Sequence, residues 1–376
     1  MTDPLHADLL DQPGSRARLN TPALVLDLDA LDANIAAMRD LATRGGVALR
    51  PHAKTHKSAD IARRQLAAGA VGLCCAKLGE AEALAAEGIT GLLITSPVTS
   101  APAIARLAAL AARTELTTVA DHPANVAALS QALAATGSEL GVIVDIDPGI
   151  HRTGVTTPEA AVELARAIAD APALRYRGVQ FYCGLQQHVE SFAERKAAVE
   201  ERTAYLRTVI AALESAGLPP PIVTGGGTGT HRIDLDLGCF TELQVGSYVF
   251  MDRQYLDCDL ADSGEQPFAT ALFVDARVVS ANTPGLVTID AGFKALATDG
   301  GPAVPHGDAA GLRFAFMGDE HAALIGAGAA ALALGDAVAL TVPHCDPTVN
   351  LYDQYHVVRG DTLVAIWPVT ARGRSR

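Results

Sequence analysis

"GVALRPHAKTHKSADIARRQLAAGAVGLCCAKLGEAEALAAEGITGLLITS", residues 46–96, decides how this chain folds. Three apolar runs of strand length, 46–52, 71–76 and 91–96, alternate with two Ala-rich stretches of helical composition. Strand and helix in that rhythm predict parallel strands joined by crossover helices. The rhythm continues through "ELTTVA" (115–120), "LGVIVDID" (140–147), "RGVQFY" (177–182), "PIVTGG" (221–226) and "ELQVGSYVF" (242–250). Upstream lie a short strand-like run, "ALVLDLD" (23–29), and a helical one, "ALDANIAAMRDLAT" (30–43). Eight strands after that first helix fit an α/β fold of the (α/β)8 TIM barrel type. A doubly wound open sheet is the alternative, and the barrel is the preferred reading. After about residue 265 the helical runs thin out, and Gly and Pro punctuate short strand-like pieces at 270–280, 285–292, 337–343 and 362–367. The expected division is a barrel over 22–255 and a smaller, mainly β domain over 265–376, with residues 1–21 a candidate to join the latter.

The chain has 376 residues, more than the roughly 100–200 of one typical domain, which agrees with a large domain plus a smaller one. A 49% hydrophobic and 19% charged composition is that of a globular protein with a large core. The net charge of −13 argues against nucleic acid or an anionic membrane as partner, while leaving room for a local basic pocket. The first 20 residues lack the long apolar core of a signal peptide, and no apolar run reaches the ~18 residues of a membrane span. Six scattered cysteines without CxxC spacing read as buried thiols. Together these features predict a cytoplasmic protein.

Within an acidic chain, "LRPHAKTHKS" (49–58) gathers Arg50, His52, Lys54, His56 and Lys57 with no acid among them. Lys54 follows a predicted strand, at the barrel end where catalytic groups lie. Burial there, beside Arg50 and Lys57, is expected to push its pKa down and free the amine. Other unusual clusters fall at the same predicted end: "DPGIHRTG" (147–154), "YCGLQQH" (182–188), "TGGGTGT" (224–230) and "QVGSY" (244–248). Glycines let the backbone approach an anion, and threonines add hydroxyl donors. Alone, "TGGGTGT" is as readily a flexible turn. Paired with "VGSY" on the next strand, it predicts a phosphate cradle. A reactive lysine near a phosphate cradle points to pyridoxal 5′-phosphate (PLP). In the β domain, "PHCDPTVNLYDQYH" (343–356) sets His344 and Asp346 two apart. On extended chain these side chains point the same way and suit a divalent metal, with Cys345 pointing opposite. A polar loop in which Asp346 caps a turn explains the spacing equally well.

"RPHAKTHKS", "DPGIHRTG", "TGGGTGT", "ELQVGSYVF" and "HCDPT" together resemble the fold-type III PLP enzymes of the D-threonine aldolase and eukaryotic-type D-serine dehydratase group, whose N-terminal barrel is alanine-racemase-like. The resemblance runs in order along nearly the whole chain. It implies a lyase that carries PLP on Lys54, with Arg152 beside the cofactor's phenolic oxygen or the substrate carboxylate and Tyr182 lining the cofactor. It implies that Gly227, Thr228, Gly246 and Ser247 hold the phosphate, joined by Thr224 and Tyr248. The position where alanine racemase turns an Arg toward the pyridine nitrogen looks like Gln244, a neutral residue that counts against racemase activity. Dehydratases of the group carry His-x-Cys and zinc, while the aldolases carry His-x-Asp. His344 and Asp346 are the aldolase form, and oxygen ligation favours Mn²⁺ or Mg²⁺, with Zn²⁺ also compatible. The implied reaction is retro-aldol cleavage of a β-hydroxy-D-amino acid such as D-threonine, the hydroxyl proton going to His188 or to hydroxide on the metal. The alternative is a D-serine or D-3-hydroxyaspartate dehydratase. A PLP-homeostasis binding protein is disfavoured because it lacks the β domain. A homodimer acting on a small molecule is expected.

Overall fold

The computed structural model describes residues 5–376. Strands are numbered in chain order from β1 (Ala23–Asp27). A parallel sheet is built from β2 (Ala48–Leu49), β3 (Leu73–Cys75), β4 (Leu92–Ile94), β5 (Leu116–Ala120), β6 (Leu140–Ile146), β7 (Leu174–Phe181), β8 (Ile222–Gly225) and β9 (Glu242–Leu243). Its order is β2-β9-β8-β7-β6-β5-β4-β3. The end strands then meet: His52 bridges Cys74 in parallel, Ala53 N–H donates to the Cys74 carbonyl at 2.8 Å, and Cys74 N–H donates to the Pro51 carbonyl at 2.8 Å. The sheet therefore curls round as the (α/β)8 pattern predicts. Alternation within each strand does the rest. Cys74, Leu93, Val119 and Ile143, with Ile222, form a cluster of their own inside the barrel. Their strand neighbours, such as Leu73, Cys75, Leu92 and Ile94, join the large core beneath the surrounding helices. None of the six cysteines is in a disulfide.

The second sheet is made by β10 (Leu272–Thr283), β11 (Leu286–Ile289), β12 (Val304–Pro305), β13 (Arg313–Phe316), β14 (Ala322–Ile325), β15 (Ala337–Thr341), β16 (Gln354–Arg359) and β17 (Thr362–Pro368), together with β1. β1 departs from the sequence expectation, which ran the barrel from residue 22. It lies between β10, to which it is antiparallel, and β16, to which it is parallel. The physical reason is its side chains: Ala23, Leu24, Val25 and Leu26 are all buried, so the strand needs cover on both faces and a neighbour on both edges. Residues before it pack on the same sheet, with Asp11 N–H on the Leu363 carbonyl and the Arg16 guanidinium on both oxygens of Asp275. The chain then crosses to the barrel through helix Leu28–Gly45, capped by Asp27, whose carboxylate accepts from the N–H groups of Asp29 and Ala30. Among the described residues, no helix is long and apolar enough to cross a membrane.

The basic cluster of residues 50–57 is resolved by this topology, because Arg50, His52, Lys54 and Lys57 each meet a partner from a different part of the chain. Arg50 grips Glu242 with two hydrogen bonds, of 2.9 and 3.1 Å, and donates to the Gly91 carbonyl at 2.6 Å. Lys57 pairs with Glu80 and both are buried. His52 and His56 are kept neutral chiefly by burial, which pushes their pKa values down to about 3 and about 4. The Arg50–Glu242 pair ties β2 to β9, and its two side chains are only 12% and 5% exposed. Removing one partner strands a buried charge, so Arg50→Met is expected to lower unfolding free energy by about 3–5 kcal/mol. Arg50→Met/Glu242→Leu should recover part of that loss. Urea unfolding of the three proteins checks this; equal stability of Arg50→Met and wild type would remove the pair from the fold's essential contacts.

Candidate active site

Lys54 stands just past the end of β2, where the chain turns over the mouth of the barrel. Its ammonium does not meet the basic neighbours that the sequence suggested. It donates to Asp346 Oδ2 at 2.6 Å, reaching across from barrel to β domain. The carboxylate holds Lys54 above its ordinary lysine value, which corrects the expectation of a depressed pKa. The reason is that Arg50 and Lys57 have acids of their own, Glu242 and Glu80, and turn away from Lys54. Burial works to raise Asp346, but Lys54 and then His344 outweigh it and hold the carboxylate well below its usual range.

A cavity of about 220 Å³ opens beside the amine, lined by His52, Lys54, Thr95, Ser96, Arg152, Gln180, Tyr182 and Gln244, with Ala76. Arg152 lies over the Tyr182 ring, 5.6 Å from its centroid. The structure thus brings Lys54, Arg152, Tyr182 and Gln244 together. Thr224 sits behind Gln244, whose side-chain N–H donates to its hydroxyl at 3.0 Å. His52, Thr95, Ser96 and Gln180 also line the cavity and were missed by the sequence reading. Only His52 lay in a conspicuous motif.

The Gly-rich loop follows β8 and leads into helix His231–Leu237. Tyr248 N–H donates to Thr228 Oγ1 at 3.0 Å, which joins the two segments expected to form the cradle. Gly246 lies against the Lys54 loop, since a Cβ there would come 2.8 Å from Thr55 Oγ1. That hydroxyl is buried and has no hydrogen-bond partner, and the N–H groups of Gly246 and Ser247 find no acceptor among the described residues. Unclaimed donors beside a lysine-lined slot fit an aromatic aldehyde phosphate such as PLP. Two details differ from expectation. The Tyr248 phenol points into the core, accepting from Gln65 at 3.1 Å, so only its backbone belongs to the cradle. A Cβ at Gly227 would meet Gln187 Oε1 at 2.4 Å, so this glycine makes room for a buried side chain first. Gln187 in turn accepts from Gly229 N–H at 3.0 Å and donates to Thr230 Oγ1 at 3.1 Å, holding the loop.

His344 and Asp346 do not lie on extended chain, as the sequence spacing suggested. His344 is extended, but Cys345–Val349 is a short helix, so the pair occupies a helix cap and the first turn. Cys345 is buried, and its N–H donates to Asp252 Oδ2 at 2.8 Å. His344 Nδ1 bonds Asp299 Oδ2 at 2.8 Å, which leaves Nε2 to face outward from that bond. Asp299 reaches His344 because Gly300 follows it; a Cβ there would meet the Pro343 carbonyl at 2.5 Å. His188 packs on Tyr255 with the rings tilted and their centroids 4.5 Å apart, and burial, with His344 and Lys54, pushes its pKa down to about 4. The loop bearing it is pinned by the fully buried Arg195, which donates to the carbonyls of Val189 and Asp259. Asp252, Asp299 and Arg195 carried no sequence signal, being single residues outside the quoted motifs. Among the described residues, no group of three or more His, Cys, Asp or Glu side chains is placed to hold a metal. His344 and Asp346 offer two ligands, and Asp346 Oδ1 is buried without a hydrogen-bond partner, which fits a cation completed by water and substrate oxygens.

Comparison with known proteins agrees with this arrangement. Residues 26–254 match the family described as alanine racemase, N-terminal domain, and residues 271–358 match a putative serine dehydratase domain. The chain is 41% identical over 375 residues to a 3-hydroxy-D-aspartate aldolase of Paracoccus denitrificans (strain Pd 1222), covering 98% of this chain and 96% of that protein. It is 39% identical over 367 residues to a D-threonine aldolase of Arthrobacter sp, covering 97% and 96%. The crystal structure of D-threonine aldolase from Filomicrobium marinum superposes with a TM-score of 0.92 at 42% identity, covering 95% of this chain and 97% of that one.

The Lys54–Asp346 contact makes a direct prediction for the cofactor-free protein. Asp346→Asn removes the charge that raises the lysine pKa, so Lys54 should be acetylated faster by acetic anhydride in the variant than in wild type at neutral pH. Peptide mass spectrometry reads the modification at Lys54 against exposed lysines such as Lys294. Equal rates would mean that Asp346 does not govern the amine.

Proposed function

Given that the chain belongs to the fold-type III PLP family that includes the D-threonine aldolases, we propose that it cleaves β-hydroxy-D-amino acids, taking D-threonine to glycine and acetaldehyde. In this reading Lys54 holds PLP, with its phosphate at Gly227, Thr228, Gly246, Ser247 and the Tyr248 backbone. His344 and Asp346 hold Mn²⁺ or Mg²⁺. The observation that carries the proposal is the meeting of the β-domain His344–Asp346 turn with the barrel lysine, 2.6 Å apart at Lys54 and Asp346. It places the residue expected to hold the cofactor beside those suited to a hydroxyl-activating cation.

When bound, the cofactor accepts the electron pair left on Cα and the cation acidifies the β-hydroxyl. The protein's own groups do the rest. Arg152 offers the positive charge that orients a carboxylate or phenolate at the cavity wall. His188, with its pKa pushed down to about 4, is neutral at pH 7 and available to take the β-hydroxyl proton. As that proton leaves, the oxygen forms the aldehyde C=O, the Cα–Cβ bond breaks, and a proton returned to Cα completes glycine. Lys54, at the same mouth, is placed to hold or return a proton. A homodimer working on small amino acids, with neither nucleic acid nor membrane as partner, completes this reading.

Purified protein supplied with PLP and Mn²⁺ should release acetaldehyde and glycine from D-threonine and leave L-threonine untouched. Exhaustive chelation should abolish cleavage, and Asp346→Ala should lower kcat by about 10²–10³-fold, the usual loss of a positioned electrostatic group. Formation of 2-oxobutanoate and ammonia in place of glycine would favour the dehydratase reading. 3-Hydroxy-D-aspartate, assayed beside D-threonine, decides which side chain the site prefers. Full activity in metal-free protein would remove the role given to His344 and Asp346.

A further inference from the structure

Along the cavity wall two side-chain amides form a chain of hydrogen bonds. Gln180 Nε2 donates one hydrogen to the Thr95 carbonyl at 3.2 Å and the other to Asp145 Oδ1 at 2.9 Å. A backbone carbonyl only accepts, so this end of Gln180 must be its NH₂ group and its Oε1 must face the other way. Gln244 Nε2 supplies the matching donor, at 3.1 Å to Gln180 Oε1, and gives its second hydrogen to Thr224 Oγ1 at 3.0 Å. Both amide hydrogens of Gln244 are then used. Its Oε1 makes no hydrogen bond among the described residues and is not among the sealed, unpartnered atoms, while Gln244 itself lines the cavity. Gln244 itself therefore offers the cavity an acceptor.

Resting on the functional reading above, we propose that Thr95, Asp145 and Gln180 are positioning residues that lock Gln244 as an acceptor toward the cofactor ring, so that the ring nitrogen is held with its proton. The ring's chemistry leaves little choice. Its aldehyde goes to Lys54 and its phosphate to the glycine-rich loop. Its phenolic oxygen, an anion, is repelled by an acceptor and suits Arg152. Only a protonated ring nitrogen brings a donor to Gln244 Oε1. A neutral amide thus secures the positively charged ring, the stronger electron sink, without a carboxylate at that position. Asp145, buried on β6, anchors the relay from behind and touches neither ring nor substrate.

The test is ¹⁵N NMR of the holoprotein reconstituted with PLP labelled at the ring nitrogen, together with PLP affinity by titration of the cofactor-free protein. Wild type should give a pyridinium resonance at neutral pH. Gln244→Leu should move it toward the unprotonated pyridine position and weaken PLP binding several-fold. Gln180→Leu should do the same, because it removes the oxygen that turns the Gln244 amide, while Asp145→Asn, which still offers Gln180 an acceptor oxygen, should keep the wild-type resonance. If Gln180→Leu fails to fold, the Gln244→Leu and wild-type spectra still decide. An unprotonated nitrogen in wild type, or an unchanged resonance in Gln244→Leu, overturns the inference while leaving the aldolase reading intact. Failure of wild type to take up PLP overturns that reading and this inference with it.

Discussion

The contact between Lys54 and Asp346 joins residues 292 positions apart and is the point on which the rest of the molecule converges. The carboxylate there is the more buried partner, and the ammonium compensates its charge. Much of the surrounding structure holds the two groups in place. On the barrel side, the lysine loop is fixed by Lys57 on Glu80, by the Tyr355 hydroxyl on the His56 carbonyl, and by Ala371 N–H on the Lys57 carbonyl at 2.9 Å. On the β-domain side, Asp252 accepts from Cys345 N–H, and the Thr348 hydroxyl donates to the His344 carbonyl at 2.8 Å. β1 ties these halves, since it lies in the second sheet and leads directly into the first barrel helix.

The electrostatics of the mouth follow from burial as much as from charge. His52, His56 and His188 have pKa values pushed well below the ordinary imidazole value, chiefly by desolvation. The positive charge at the mouth is therefore carried by Lys54 and Arg152, and a cluster that looks strongly basic in sequence is close to neutral in space. Neutral imidazoles accept or donate hydrogen bonds, and this is how His52 serves, with Nε2 on the Thr95 hydroxyl at 3.1 Å and Nδ1 accepting from Lys54 N–H at 3.3 Å. Thr95 therefore sits at a junction. Its hydroxyl steadies the lysine loop, while its carbonyl fixes the amide of Gln180. One residue of β4's C-terminal end couples the floor of the cavity to its reactive rim.

Much of this was legible in the sequence, and for identifiable reasons. The eight barrel strands could be read because each is a short apolar run followed by a helix of clear composition, a pattern imposed by burial on both faces. Lys54, Arg152, Tyr182, Gln244 and the glycine-rich loop stood out because they follow such strands, and chain order alone places strand ends at one mouth. The expected barrel boundary at residue 22 fell on the wrong side of β1 because its apolar run suits either sheet; partner choice depends on which edges remain open. The His344–Asp346 turn was taken as extended because spacing cannot reveal that Asp252 caps the following helix from 93 residues away.

The sequence by itself determined the alternation of strands and helices, the β-rich C-terminal part and the residues that carry distinctive chemistry, because those depend on local periodicity and on residue type; closure of the barrel over an open sheet came from the pairing of its end strands. Only the tertiary structure decided the partners. It gave Arg50 to Glu242, Lys57 to Glu80 and Lys54 to Asp346, and it reversed the expected shift of the lysine. It also decided which way the Gln244 amide faces, through a carbonyl at Thr95 and a carboxylate at Asp145. Charge compensation and hydrogen-bond polarity are set by distance and direction between side chains far apart in the chain, and those exist only once the chain has folded.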